Sequence, residues 1–340
     1  MLISDTYGIT SITRMRLSFI RYAIMPVFAL DTMGYQNCTA GDQASAEPRV
    51  LTMSYISSAS RSSSAFGAHA ALDDDRLHQL APSIFATEAH ESRSARYAYI
   101  PTSEVLAGMR KEGFVPVRAS QGRSRIVGKA EYTKHMIRFR HSDFIGTESL
   151  GQIVPEIVLV NSHDGTSSYH LMAGLFRIAC LNGLIRCEST TADVKIAHKG
   201  NVIDNVIEGA FTVISDSRDA VTQAESWGSL RLNHDEKLAM ADAARVIRFG
   251  DAEGNVETPI EARQLLGARR QADRGDDSLW TTGNIIQENV IRGGLHAWTR
   301  DAHNRARRVT TREVRNIDGD VKLNRALWML SERMAALKSA

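Results

Sequence analysis

The sequence predicts an α+β fold. A strand-rich core over residues 71–200, its sheet mainly antiparallel, is followed by an α-helical block over 201–340 packed on that core. Three observations predict it. Up to about Gly200, apolar residues alternate or run in β-branched stretches between turn residues; beyond it they recur every three or four positions. Strand and helix patterns do not alternate along the chain, so no βαβ unit is expected, and no GxGxxG or Walker loop occurs. With 340 residues, 43% hydrophobic and 24% charged, the chain can bury a sizeable core. That composition excludes a mostly disordered, collagen-like or coiled-coil rod protein. No stretch of eighteen apolar residues occurs, so no helix is expected to span a membrane.

Residues 1–70 read as a disordered or wrongly assigned N-terminal extension. Ser18–Leu30 is apolar, but Arg21 and Pro26 interrupt it, which does not suit a secretory signal. The simpler expectation is that translation starts at Met53. A Ser-rich lead-in follows, and Leu72–Ala86 reads as an extended or turn segment that tucks Ile84 and Phe85 into a core. Tyr97–Ile100 alternates like a short strand. Pro101-Thr102-Ser103-Glu104 starts a helix with Val105, Leu106 and Met109 on its buried stripe, and Gly113 closes it. Phe114–Ala119, His135–Arg140 and Ile157–Val160 read as strands. Tyr169–Cys180 and Leu184–Glu188 form a hairpin around Asn182-Gly183, and Asp193–His198 adds a strand. Asn233 then caps a helix with Glu236 at its third position and Gly250 as its stop. Pro259 opens another helix, and Leu279–Trp298 is helical with a weak point at Gly293-Gly294. The stripe Leu323, Leu327, Leu330, Met334 and Leu337 suits packing or self-association, so a homo-oligomer through the C-terminal helix is an open expectation.

The net charge of +2 announces no polyanionic partner, but its distribution is uneven. Between Arg110 and Arg140, nine basic residues face two acids, Glu112 and Glu131; nine minus two gives +7. Strand alternation puts Lys134, Met136, Arg138 and Arg140 on one face, opposite Ile137 and Phe139. With Arg118, Arg123, Arg125 and Lys129 nearby, this face is a candidate phosphate track. If carboxylates from the helical block engage those guanidinium groups, docking there fails. Arg300–Arg315 holds six arginines, Arg305, Arg307 and Arg308 among them, against Asp301 and Glu313; six minus two gives +4. Trp298 at its edge could stack on a base, although a place in the core is the simpler reading.

Asn161-Ser162-His163-Asp164-Gly165-Thr166 follows a buried strand. His163 and Asp164, with Cys180 as a nucleophile, are the catalytic candidates, but a turn needs Asn, Asp and Gly for backbone reasons alone. A catalytic metal usually takes three protein ligands, and only His163, Asp164 and His198 offer themselves, so neither metal nor cofactor is expected. Three cysteines, Cys38, Cys180 and Cys187, argue against a disulfide scaffold and for a reducing cytoplasm. The amide-rich run Trp280–Asn289 suits an internal hydrogen-bond network.

Several stretches together resemble the plasmid- and phage-borne family known as domain of unknown function 932. They are Ala81–Ala86, Arg96-Tyr97, Ile100-Pro101-Thr102, His135–Arg140, Pro155–Gly165, Gly174-Leu175-Phe176-Arg177, Cys180, Asn182-Gly183, His198-Lys199-Gly200, and Leu279-Trp280-Thr281-Thr282 to Gly294. The resemblance covers about residues 75–300 and does not reach residues 1–52. It implies an accessory protein of a mobile element, carried beside antirestriction and DNA-maintenance genes. It brings no assigned catalytic residues. The expected function is nucleic-acid binding, DNA first, with single-strand binding or annealing in replication or recombination. The alternatives are an anti-defence protein that binds a host protein, and a hydrolase or nuclease centred on His163 and Asp164.

Overall fold

The computed structural model describes residues 71–88, 90, 99–124, 126, 128–146, 152–177, 183–185, 193–196, 201–251 and 253–339. Cys38, Cys180, Cys187, Arg125, His198 and the expected start at Met53 lie outside them. The described residues all fall within one unit, Ala68–Ala340.

Its centre is an antiparallel sheet of β1 (Phe114–Gln121), β2 (His135–His141), β3 (Ile153–Asn161), β4 (Tyr169–Arg177) and β5 (Gly183–Ile185), in that order. β6 (Asp193–Ile196) pairs with the other half of the same edge of β4. The longest register, β3 with β4, runs from Ile153 opposite Arg177 to Val160 opposite His170. β4 and β5 pair antiparallel as expected, but Gly183, expected in the turn, is the strand residue opposite Phe176, and residues 178–182 lie outside the described residues. Leu72–Ala86 differs from expectation: it carries helix α1 (Asp74–Leu80), capped by Asp73, and a 3-10 turn over Pro82–Phe85. α2 (Thr102–Lys111) starts and stops as its sequence predicts, and Gly113 leaves it at φ +84°.

One face of the sheet presents Ile137, Phe139, Ile157, Leu159, Leu171 and Ala173. It packs against Leu77 and Ile84, against Val105, Leu106 and Met109 of α2, and against α3 (Val202–Ser229) through Val202, Val206, Ala210 and Val213. Full burial of one such side chain contributes about 1.5–3 kcal/mol, so this layer contributes substantially to stability. The other face also has a cover. Met136, Val158, Val160, Met172 and Phe176 meet Ile317 and Val321 at the start of α7 (Ile317–Ser339).

A second core joins α3, α4 (His234–Phe249), the single turn α5 (Ala262–Leu265), α6 (Leu279–Arg292) and α7. Trp227 sits at its middle, 4.6 Å from Trp328 and 6.4 Å from Trp280 between ring centroids. α4 has the capping box that its sequence predicts, Asn233 with Glu236, and ends at Gly250. α5 is shorter than the helix expected after Pro259. α6 stops at Gly293, and the chain beyond it forms strands β7 (His296–Arg300) and β8 (Ala306–Thr310) instead of more helix.

Candidate nucleic-acid interface

The basic face of β2 is not open to a polyanion. Arg138 donates from Nε to Glu156 Oε2 at 2.6 Å, and Arg140 donates from Nε to Glu156 Oε1 at 3.1 Å. All three side chains are buried. The Arg138 guanidinium also lies 3.3 Å from the centroid of the Phe176 ring. The single acid of β3 therefore holds two guanidinium groups inside the molecule, where losing the partner of a charge is costly. Lys134 is engaged by the helical block: its Nζ donates to both carboxylate oxygens of Asp318, at 2.7 and 2.8 Å. Asp320, one turn into α7, lies near Arg118 and Arg138. Burial pushes its carboxyl up, and those two arginines pull it back. Lys129 reaches Asp164 at 3.2 Å. Arg118 and Arg123 are exposed. Thus Arg138 and Arg140, expected on phosphates, are internal, and Lys134 and Lys129 are paired with acids. The sequence holds one signal of this: Glu156 stands alone in an apolar strand and requires buried cations.

The second arginine cluster is built differently. β7 and β8 form a two-stranded ribbon, in register from His296 opposite Thr310 to Arg300 opposite Ala306. From Gly294 to Asn316 no residue is buried. Trp298 is 69% exposed, a correction to its reading as core. Residues opposite each other across an antiparallel pair share a face. Trp298 opposes Arg308, and Arg300 lies two residues along on the same side. Thr299 opposes Arg307 on the other side. Asp301 organises the tip: its carboxylate accepts from the backbone N–H groups of His303 and Arg305 and from Arg305 Nε at 2.9 Å. Those bonds, the Arg305 backbone first, hold the Asp301 carboxyl below the usual carboxylate range. Arg315 pairs with Glu313. Arg308 and Arg312 have no side-chain partner among the described residues.

The root of this arm is fastened by polar side chains from the helical block. Gln264 donates to the His296 carbonyl at 2.7 Å, Arg248 to the Arg312 carbonyl at 3.3 Å, and Arg269 to the Gly293 carbonyl. The result is an exposed ribbon with arginines on both faces and an aromatic ring on one.

The catalytic candidates separate. His163 is fully buried; its Nε2 lies 3.1 Å from Thr102 Oγ1, and its ring packs near Tyr99 and His135. Thr102 also meets His135 Nε2 at 3.0 Å and Asn161 Nδ2 at 3.1 Å, while His135 Nδ1 meets Ser83 Oγ at 2.9 Å. This is a packed polar cluster joining α2 to β2 and β3. Asp164 instead holds its own turn, accepting from the Thr166 backbone at 3.0 Å and its hydroxyl at 2.6 Å, with Gly165 at φ +75°. Among the described residues no group of three or more His, Cys, Asp or Glu is placed to hold a metal ion. Nor is any helix among them long and apolar enough to cross a membrane. The amides of α6 form an internal network: Gln287 bonds Asn324, and Asn289 bonds the carbonyls of Leu265 and Gly267.

The family described as "Domain of unknown function (DUF932)" matches residues 89–328. UPF0380 protein YafZ and UPF0380 protein YfjQ, both of Escherichia coli (strain K12), are each 44% identical to this chain over 280 residues. Each alignment covers 81% of this chain and 97% of the relative. No solved structure matches the chain.

Proposed function

This chain belongs to the DUF932 family, and we propose that it binds nucleic acid through the arginine-rich arm that runs from Leu295 to Arg315. One observation carries the reading: the exposed ribbon sets Trp298 beside Arg308 and Arg300, with Arg307 on its reverse. Arginine forks suit phosphate oxygens, and an aromatic ring stacks on unpaired bases whatever their sequence. The strand and the ring together favour single-stranded DNA. The role is binding or annealing as an accessory of a plasmid or phage, in the cytoplasm. Such work needs no nucleophile and no cofactor.

Titration of a labelled single-stranded oligonucleotide at several salt concentrations tests this. Affinity falls steeply as salt rises, because phosphate contacts release counterions. Trp298→Ala costs about 1–3 kcal/mol, the usual value of one stacked base. Arg307→Ala with Arg308→Ala lowers the salt slope by about 1.4, at roughly 0.7 per lost single-strand phosphate contact. Because the side chains of Trp298, Arg307 and Arg308 are exposed, neither change moves the melting temperature. Failure to bind at low salt removes the proposal.

A further inference from the structure

Exposure along β7 repeats every two residues. His296, Trp298 and Arg300 are exposed, whereas Ala297 and Thr299 between them are half-buried. Side chains two residues apart on a strand stand on one face, so the His296 and Trp298 rings rise from the ribbon side by side, on Cα atoms about 6.8 Å apart. Among the described residues, neither ring is in contact with another ring or with a guanidinium group. Thr310, opposite His296, has its Oγ1 2.8 Å from His296 Nδ1, and this bond across the strands holds one of the two rings in place. Arg308 stands opposite the other ring, Trp298. Stacked bases lie about 3.4 Å apart, so a base with a ring on each side needs about 6.8 Å between those rings. The repeat of the strand supplies that distance.

We propose that His296 and Trp298 are the two walls of a slot that takes one unpaired nucleobase. Trp298 covers one face of the base and the His296 imidazole the other, while Arg308 takes the adjoining phosphate. Thr310 is a positioning residue: with Nδ1 tied to its hydroxyl, the His296 ring loses little freedom when the base arrives. A base in a duplex already has a neighbour on each face and a pairing partner, and it gives up all three to enter. The slot therefore selects single strands. It takes purines and pyrimidines alike, because every base has a π-face. The inference rests on nucleic-acid binding by the arm and deepens it, from one stacking ring to a base held on both faces.

The test titrates the full chain against a labelled oligothymidylate and against an abasic strand with the same number of phosphates. Trp298→Ala and His296→Ala each weaken binding to the oligothymidylate, His296→Ala by about 3- to 10-fold. His296→Phe keeps a flat ring without the nitrogens and restores most of the affinity. On the abasic strand His296→Ala binds like the parent chain, because no base is left to hold. Thr310→Val, which lacks the hydroxyl, weakens binding to the oligothymidylate, whereas Thr310→Ser does not; equal affinities of these two remove Thr310 from the slot. A loss from His296→Ala that is equal on both strands, or that His296→Phe does not restore, makes His296 a phosphate or strand-pairing contact and overturns the slot. So does His296→Ala at full affinity while Trp298→Ala is weakened, and the arm then stands without the slot. Trp298→Ala at full affinity, or no binding by the parent chain, removes the arm and the slot together.

Discussion

Glu156 is bonded to two buried guanidinium groups, those of Arg138 and Arg140. Glu156→Gln keeps the shape of the side chain but leaves Arg138 and Arg140 charged in a low-dielectric interior. Removing one partner of a buried ion pair costs about 3–5 kcal/mol, so urea denaturation of this variant shows a loss of that size. A loss below about 1 kcal/mol means that the arginines find water, and the buried network is not as described. His135 gives a second residue-level expectation. Burial, and then His163 beside it, lowers its pKa from 6.5 to about 3, against a small opposing effect of the Thr133 backbone. In the unfolded chain the ring protonates near 6.5, so between about 6.5 and 3 the unfolded state binds the extra proton. Stability from this residue is therefore full above about pH 6.5 and falls as pH drops, by about 2 kcal/mol at pH 5. Urea midpoints measured from about pH 7.5 to 5 follow that decline, and His135→Gln flattens part of it. Midpoints that stay level over this range defeat the expectation.

The elements differ in how far the sequence declares them, and the reasons are physical. The start of α2 rests on the fixed φ of Pro101 and the capping box of α4 on local hydrogen bonds, so a few adjacent residues announce both. The ribbon β7–β8 buries nothing, so it has no apolar alternation to read. Trp298 then looks like a core residue because large aromatics usually are. The Gly293-Gly294 break is legible in the sequence, whereas the ribbon beyond it is not. Likewise the alternation of β2 is legible while the fate of its charged face is not, because Glu156 and Asp318 reach it from strand and helix distant in sequence. The arm also depends on its hinge. Gly293 sits at φ +63°, ψ −147°, and a Cβ there would come 2.7 Å from the carbonyl carbon of Arg312. Gly293→Ala therefore strains the backbone by about 1–3 kcal/mol and pushes β8 away from its fastening at Arg248. Both the melting temperature and the nucleic-acid affinity fall, whereas Gly294→Ala, with nothing near its Cβ but also at positive φ, costs less. Equal behaviour of the two variants removes the hinge argument.

On the scale of the whole molecule, the change of sequence period near residue 200 marks a change of secondary structure inside one core. The inner face of the sheet is completed by Val202, Val206, Ala210 and Val213 of α3, and its outer face by Ile317 and Val321 of α7. An ionic chain then ties the end of β4 to α6. Arg177 meets Asp273 at 2.7 Å, Arg270 meets Glu288 at 2.7 Å and approaches Asp273 at 3.6 Å, and Arg292 meets Glu288 at 2.8 Å. The apolar stripe of α7 is largely spent within the chain: Leu323 and Leu327 are buried, Leu330 and Met334 pack on the helical core, and Leu337 remains 74% exposed. A fragment that ends at residue 200 would uncover the outer face of its sheet and the part of the inner face that α3 covers, keeping Leu77, Ile84 and α2 as a cover. It would lose the apolar contacts that α3 and α7 make with the two faces, with no second surface to replace them. Such a fragment, 71–200, is expected to lack a cooperative urea transition, while 71–340 unfolds in a single one with tryptophan fluorescence and far-ultraviolet circular dichroism coincident. A cooperative transition in the fragment, or two separated transitions in the longer chain, makes the strand-rich and helical halves independent domains and removes the shared core.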